Sequence, residues 1–151
     1  MKKLLLITCV VFLFQGLSGQ DLEVKDGLFY KKGMLYTGIQ TDYYENGNIK
    51  LHRNIKNGYE DGEVITYFEN GQKHEQRSYK DGKKDGLWIN WNQKGTKVAE
   101  ARYKNDLKDG DWFIWDDEGN LLYEMHYSEG EKSGRWKMFD KDGNLTSERE
   151  Y

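Results

Sequence analysis

Asp85-Gly86-Leu87-Trp88-Ile89-Asn90-Trp91, then Lys94-Gly95, then Tyr103, returns 24 residues later as Asp109-Gly110-Asp111-Trp112-Phe113-Ile114-Trp115, then Glu118-Gly119, then Tyr127. A fixed step of this kind is the mark of a repeat architecture. Followed outward, the first glycine gives the series Gly38, Gly62, Gly86, Gly110 and Gly134, and the second gives Gly47, Gly71, Gly95, Gly119 and Gly143. Aromatic columns run between and beyond them. Tyr43, Tyr67, Trp91, Trp115 and Phe139 form one, and Ile55, Tyr79, Tyr103, Tyr127 and Tyr151 another. A third holds Trp88, Trp112 and Trp136, with Gln40 and Val64 in the earlier units.

Each unit reads as one β-hairpin. The β-prone run Gly86 to Trp91 leads into a turn at Gln93-Lys94-Gly95, and Lys97 to Tyr103 returns. Asn46-Gly47 and Asn70-Gly71 are read as the strong hairpin turns, since both residue types accept positive φ cheaply. A second glycine-bearing connection, Lys80 to Gly86, is expected to pass the chain onward, with Asp106 replacing the glycine seen at Gly58, Gly82 and Gly130. A lone hairpin of this size buries no core, so units must stack edge to edge. The expected fold is therefore all-β: a single-layer antiparallel sheet of about five stacked hairpins of 24 residues, roughly 50 Å long if strands lie about 4.8 Å apart.

The expected organisation is a signal peptide over 1–19, an irregular capping segment over 20–37, and repeats at 38–61, 62–85, 86–109, 110–133 and 134–151. Lys2 and Lys3 followed by the apolar run Leu4 to Phe14 and the small-residue stretch Gln15 to Gly19 have the order of a secretory signal, too short to span a bilayer about 30 Å thick. Cys9 lies inside that run, so the mature chain would have no thiol and no disulfide. Phe29, Tyr30 and Tyr36 keep a partial unit visible in the capping segment, where Gly27 and Gly33 are out of phase. At the other end Glu148, Arg149 and Glu150 would guard an edge strand against pairing, and a monomer is expected.

The full chain carries a net charge of −3, and without Lys2 and Lys3 the balance is 21 basic against 26 acidic residues, or −5. Nucleic-acid binding, which needs a basic patch, is excluded on this ground. No serine elbow or phosphate-cradling loop is present, so no enzyme is expected and no cofactor. His52, His74 and His126 stand at three different phases of the repeat and read as solvated strand residues rather than ligands. Asp61, Asp85 and Asp109 share a phase. Stacked carboxylates could hold calcium, but the simpler reading is a repeated Asp-Gly turn. Asp140-Lys141-Asp142-Gly143-Asn144 looks like the start of a calcium loop, yet Tyr151 stands where its last ligand belongs, and no metal site is expected.

The aromatic columns are the candidate binding residues: Trp88, Trp112 and Trp136 on one face, Trp91 and Trp115 three positions on and hence on the other. The repeat resembles the MORN-repeat family, in its bacterial variant, over roughly residues 29–151. That resemblance implies a sheet-like solenoid used in protein association, with phospholipid contact in some relatives and an antitoxin label on many bacterial members. The function expected is thus an exported, non-enzymatic protein-binding or scaffold module, periplasmic or extracellular. The alternatives are a lipid-associated surface protein, favoured by Lys80, Lys83, Lys84, Lys104 and Lys108, and an immunity or antitoxin-like protein.

Overall fold

The structure, a computed structural model, describes residues 21–151, and the expected signal peptide over 1–19 lies outside the described residues. Described residues build strands and turns only. The first three strands, β1 (Glu23–Lys25), β2 (Leu28–Lys31) and β3 (Met34–Leu35), form a small antiparallel meander. The stretch read as irregular is out of phase but regular, for Asp26-Gly27 and Lys32-Gly33 each make a two-residue turn with positive φ at both positions.

The repeats supply β4 (Gly38–Tyr43), β5 (Ile49–Lys56), β6 (Tyr59–Tyr67), β7 (Lys73–Lys80), β8 (Lys83–Trp91) and β9 (Lys97–Lys104). They continue with β10 (Leu107–Lys108), β11 (Gly110–Trp115), β12 (Leu121–Ser128), β13 (Glu131–Phe139) and β14 (Leu145–Glu150). All belong to one antiparallel sheet in which neighbours in sequence are neighbours in space, from β4 at one edge to β14 at the other, with β10 also paired to β9. The sheet stays open rather than closing into a barrel. Because β14 is exposed along its whole length, its charges face solvent at the edge, Glu148 and Glu150 lying 2.9 and 3.4 Å from Arg135 Nε.

The two kinds of turn are distributed differently from the sequence reading. Asn46 and Asn70 do not adopt positive φ. In the first turn Gly47 N–H donates to Tyr44 O (3.0 Å), Gly47 alone takes a φ of 87°, and the Asn46 side chain accepts from Asn48 N–H (2.9 Å). This is a three-residue loop closed by one left-handed glycine. The two-residue turns with positive φ throughout lie at the other connection, at Asn57-Gly58, Asp81-Gly82, Asn105-Asp106 and Glu129-Gly130. Asp106 holds a φ of 69° without being glycine, while its carboxylate accepts from Lys84 N–H at 2.8 Å.

Asp85-Gly86 is accordingly no turn. It lies within β8, where the register slips: Arg77 pairs with Trp88 but Tyr79 with Lys84, so Ser78 faces the bulge of Asp85, Gly86 and Leu87. Gly86 takes a φ of 103° there, and a Cβ would come within 3.0 Å of Ser78 Cβ. The bulge aims the aspartate at the next unit. Asp61, Asp85 and Asp109 accept from the N–H of Asp81 (3.1 Å), Asn105 (3.3 Å) and Glu129 (3.3 Å), and Thr37 does the same for Asn57 (2.8 Å). A backbone bond accompanies each, as Gly82 N–H donates to Glu60 O and Gly130 N–H to Lys108 O, both at 2.8 Å. The repeated Asp is therefore the side-chain tie between successive turns.

Little of so thin a molecule is buried. Phe29, Ile55, Val64, Ile65 and Tyr127 form the core. Phe29 of β2 reaches the repeat sheet: its N–H donates to Gly58 O (2.9 Å), and the Arg53 guanidinium lies 4.8 Å over its ring. Arg53 pairs across strands with both Gln40 and Val64, so the meander lies on the face that carries the Trp88 column, at its N-terminal end.

Candidate functional site

On that face two of the sequence columns merge into one file. Ring centroids run Tyr79 to Trp88 (5.5 Å), Trp88 to Tyr103 (4.8 Å), Tyr103 to Trp112 (5.3 Å) and Trp112 to Tyr127 (5.2 Å). The file continues Tyr127 to Trp136 (5.2 Å) and Trp136 to Tyr151 (4.8 Å). The two columns interleave because Tyr103 faces Gly86 and Tyr127 faces Gly110, which have no side chain, so each tyrosine lies diagonal to the tryptophan two residues on. The bulge also leaves a carbonyl facing it, which the indole takes. Nε1–H of Trp88, Trp112 and Trp136 donates to the backbone oxygen of Ser78 (3.1 Å), Arg102 (3.1 Å) and His126 (2.9 Å). Each indole is thus held at its edge by the backbone and on both sides by phenol rings, at spacings favourable for tilted aromatic pairs. Burial first, then the Glu60 carboxylate, pushes the Tyr79 phenol above its ordinary pKa, and burial does the same to Tyr103.

Lysines roof the file with the same period. Lys84 Nζ stands 4.9 Å from Trp88 and 5.1 Å from Tyr103, Lys108 4.3 Å from Trp112 and 4.5 Å from Tyr127, Lys132 4.4 Å from Trp136 and 4.8 Å from Tyr151. The rings fix these ammonium groups by cation–π attraction. Among the described residues none of the three has a carboxylate within ion-pair distance. Of the lysines named for lipid contact, Lys84 and Lys108 belong to strands β8 and β10 and roof the file, whereas Lys80, Lys83 and Lys104 are exposed at strand ends beside the turns.

Beside the C-terminal part of the file the same face is apolar. Cross-strand partners share a face, and the pairs Trp88 with Ala101, Asn90 with Ala99, Trp112 with Met125, and Tyr123 with both Ile114 and Met138 trace a strip across β8 to β13. Ile114 and Met138 are 38% and 42% exposed. At the β12–β14 end the strip deepens into a depression of about 370 Å³ between Tyr123, Met125, Trp136, Met138, Arg149 and Tyr151.

Trp91 and Trp115 are not part of this site. They lie on the opposite face, where Phe113 contacts Trp115 (5.6 Å) and Lys73 and Lys97 cover Trp91 and Trp115 at 5.6 and 4.9 Å. There Lys97 is neutralised by Glu100 (2.6 Å) and Lys137 by Glu124 (3.1 Å), while Lys73 donates to Gln76 Oε1 (3.1 Å). Of the five candidate tryptophans, then, Trp88, Trp112 and Trp136 come together and the other two do not join them. The lysine row and the alanine–methionine strip escaped the sequence reading, although Lys84, Lys108 and Lys132 keep the 24-residue step as strictly as the glycines.

The remaining candidates serve locally. His126 Nδ1 lies 2.8 Å from Asp111, and His74 stacks on Phe68 at 4.3 Å. Asp140 and its equivalent Asp116 close their own turns, accepting from the backbone N–H of Asn144 (2.9 Å) and Asn120 (2.8 Å). Bonds from the Asn144 and Asn120 side chains, and then from their backbones, hold both carboxyls below the ordinary range.

The MORN repeat variant family model matches residues 36–57, 60–81, 108–129 and 132–151. The span between the second and third matches holds β8 and β9, which have the same bulge, turn and tie as the units on either side. No curated protein matches the chain. With four matched repeats covering more than half its length, and hairpins of one geometry throughout, the chain belongs to the MORN repeat variant family.

Proposed function

We propose that this is an exported, non-enzymatic repeat protein whose C-terminal half binds a protein partner on the face bearing Trp88, Trp112 and Trp136. The observation that carries the reading is the contrast along that one face. Ile55 and Val64 are buried where the meander lies on the face, but nothing among the described residues covers the strip through Ala99, Ile114, Met125 and Met138. Exposed apolar surface rimmed by charge marks an interaction site. The tryptophans are rigid supports here, since their indole N–H groups are already satisfied by the backbone. Export rests on Lys2, Lys3 and the Leu4 to Phe14 run.

The test leaves the file intact. Wild-type protein and an Ile114→Glu/Met138→Glu variant are compared for cross-linked partner recovery from envelope extract, with thermal melts as the folding control. Loss of a recovered partner from a variant that melts like the wild type is the expected result. Equal recovery by both would remove the face from the binding reading, and finding the chain in the cytoplasmic fraction would remove export.

A further inference from the structure

We infer that the face takes a polyproline-type segment of its partner, with an acidic side chain at every third residue, laid across the strands along the aromatic file. This rests on the protein-binding reading above and gives that partner its chemistry.

Lys84, Lys108 and Lys132 occur once per hairpin, and alternate strands of a sheet lie about 9.4–9.8 Å apart. From the first lysine to the third is therefore about 19 Å. A polyproline II helix has three residues per turn and rises about 3.1 Å per residue, so every third side chain returns to one side after about 9.3 Å, and six residues span about 18.6 Å. A ligand α-helix presents one face again after seven residues, about 10.5 Å, and over two periods overshoots the lysines by about 2 Å. A ligand β-strand repeats its face at about 6.7 Å and fits no multiple of the row until the third turn. Of the regular peptide conformations, polyproline II keeps step.

Chemistry agrees with spacing. Aromatic-lined surfaces are what polyproline segments dock on, because the preformed helix loses little further chain entropy when it packs between ring edges and lysine stems. Tyr127 and Tyr151 hydroxyls accept from Lys108 (3.4 Å) and Lys132 (3.5 Å), which leaves their own protons to donate to the solvated carbonyls such a helix presents. The three ammonium groups are fixed by two rings each and have no carboxylate of their own, in a chain that is acidic overall. On the opposite face Lys97, over Trp115, is paired with Glu100, and Lys73, over Trp91, donates to Gln76, so neither forms part of a row of open ammonium groups. Carboxylates on the ligand complete the row.

The probe is a peptide of four Pro-Pro-Glu triplets, titrated by tryptophan fluorescence against protein expressed from its full reading frame. Its controls are an isomer of identical composition with the glutamates respaced, a helical peptide with glutamates seven apart, and vesicles of phosphatidylcholine with phosphatidylglycerol. The triplet peptide should bind about tenfold more tightly than the respaced isomer. Lys84→Gln/Lys108→Gln/Lys132→Gln, which keeps the stems over the rings, should lose about tenfold in affinity while still unfolding in one cooperative melt well above the assay temperature. Equal affinity for both isomers would overturn the spacing, preference for the helical peptide would replace the ligand conformation, and preference for vesicles would make the face a membrane surface. If the triplet peptide fails while the envelope partner is still captured through Ile114 and Met138, this inference falls alone. Failure of both removes the protein-binding reading as well.

Discussion

The first two repeats and the last three share one backbone and finish the same face in opposite ways. In residues 38–78 the columns carry Gln40, Ile55 and Val64, and Phe29 lies on this face from outside the repeat. From Tyr79 to Tyr151 they carry Trp and Tyr, which cover one another and are roofed by lysine. The aliphatic part is buried, Ile55 to 3% exposure, whereas of the file's seven rings only Tyr127 reaches the core, at 9%. The lesson is that the repeat specifies a scaffold and the column residue specifies how its face is closed. Small aliphatic side chains need a lid, and large amphipathic ones make their own cover and leave it open to a partner.

This comparison breaks hardest at the lid. Phe29→Ala uncovers Ile55 and Val64 and takes the ring from beneath Arg53, and is expected to cost about 3 kcal/mol in denaturant unfolding. Trp112→Ala, in the half that covers itself, removes a ring from between two neighbours but opens no enclosed cavity, so about 2 kcal/mol is expected. Trp112→Phe separates the indole bond from the ring. It should cost about 1 kcal/mol, the value of the donor to Arg102 O. A larger loss for Trp112→Ala than for Phe29→Ala would reverse the account of which half carries the stability.

How much of this was legible follows from which rule each feature obeys. The 24-residue step, the hairpin as unit, the all-β sheet and the opposite facing of the Trp88 and Trp91 columns all depend on periodicity, which a sequence displays directly. The turns stand where the sequence put them, but their type was misread, because Asn46-Gly47 has the composition of a two-residue turn and sits in a three-residue loop. The interleaving of Trp and Tyr was not legible at all. It depends on cross-strand register, which sets Tyr103 opposite Gly86 and slips by two residues at the bulge facing Ser78, and register changes pairing without changing period. Lys84, Lys108 and Lys132 were visible as a column, but their place over the rings follows from the same slip.

The smallest expected effect separates the halves by pH. At the hairpin tip the early units have Tyr44 and Phe68, where the late ones have Asn92, Asp116 and Asp140. Since the folded state holds Asp116 and Asp140 below the ordinary value of 3.8, their contribution is present above that value and lost as the pH falls through the lower folded one. Melts between about pH 5 and about pH 2 should show a shallower acid limb for Asp116→Ala/Asp140→Ala than for the wild type. Identical limbs would mean that the tips add nothing to the difference.

The order of strands has a mechanical meaning. With β4 at one edge and β14 at the other, tension applied across the sheet runs parallel to the ladder hydrogen bonds and loads them in series. Strands held this way yield one at a time, like a zip, instead of failing together in shear. Under load the binding face would be consumed from an edge inward, and a ligand spanning several strands would act as a brace.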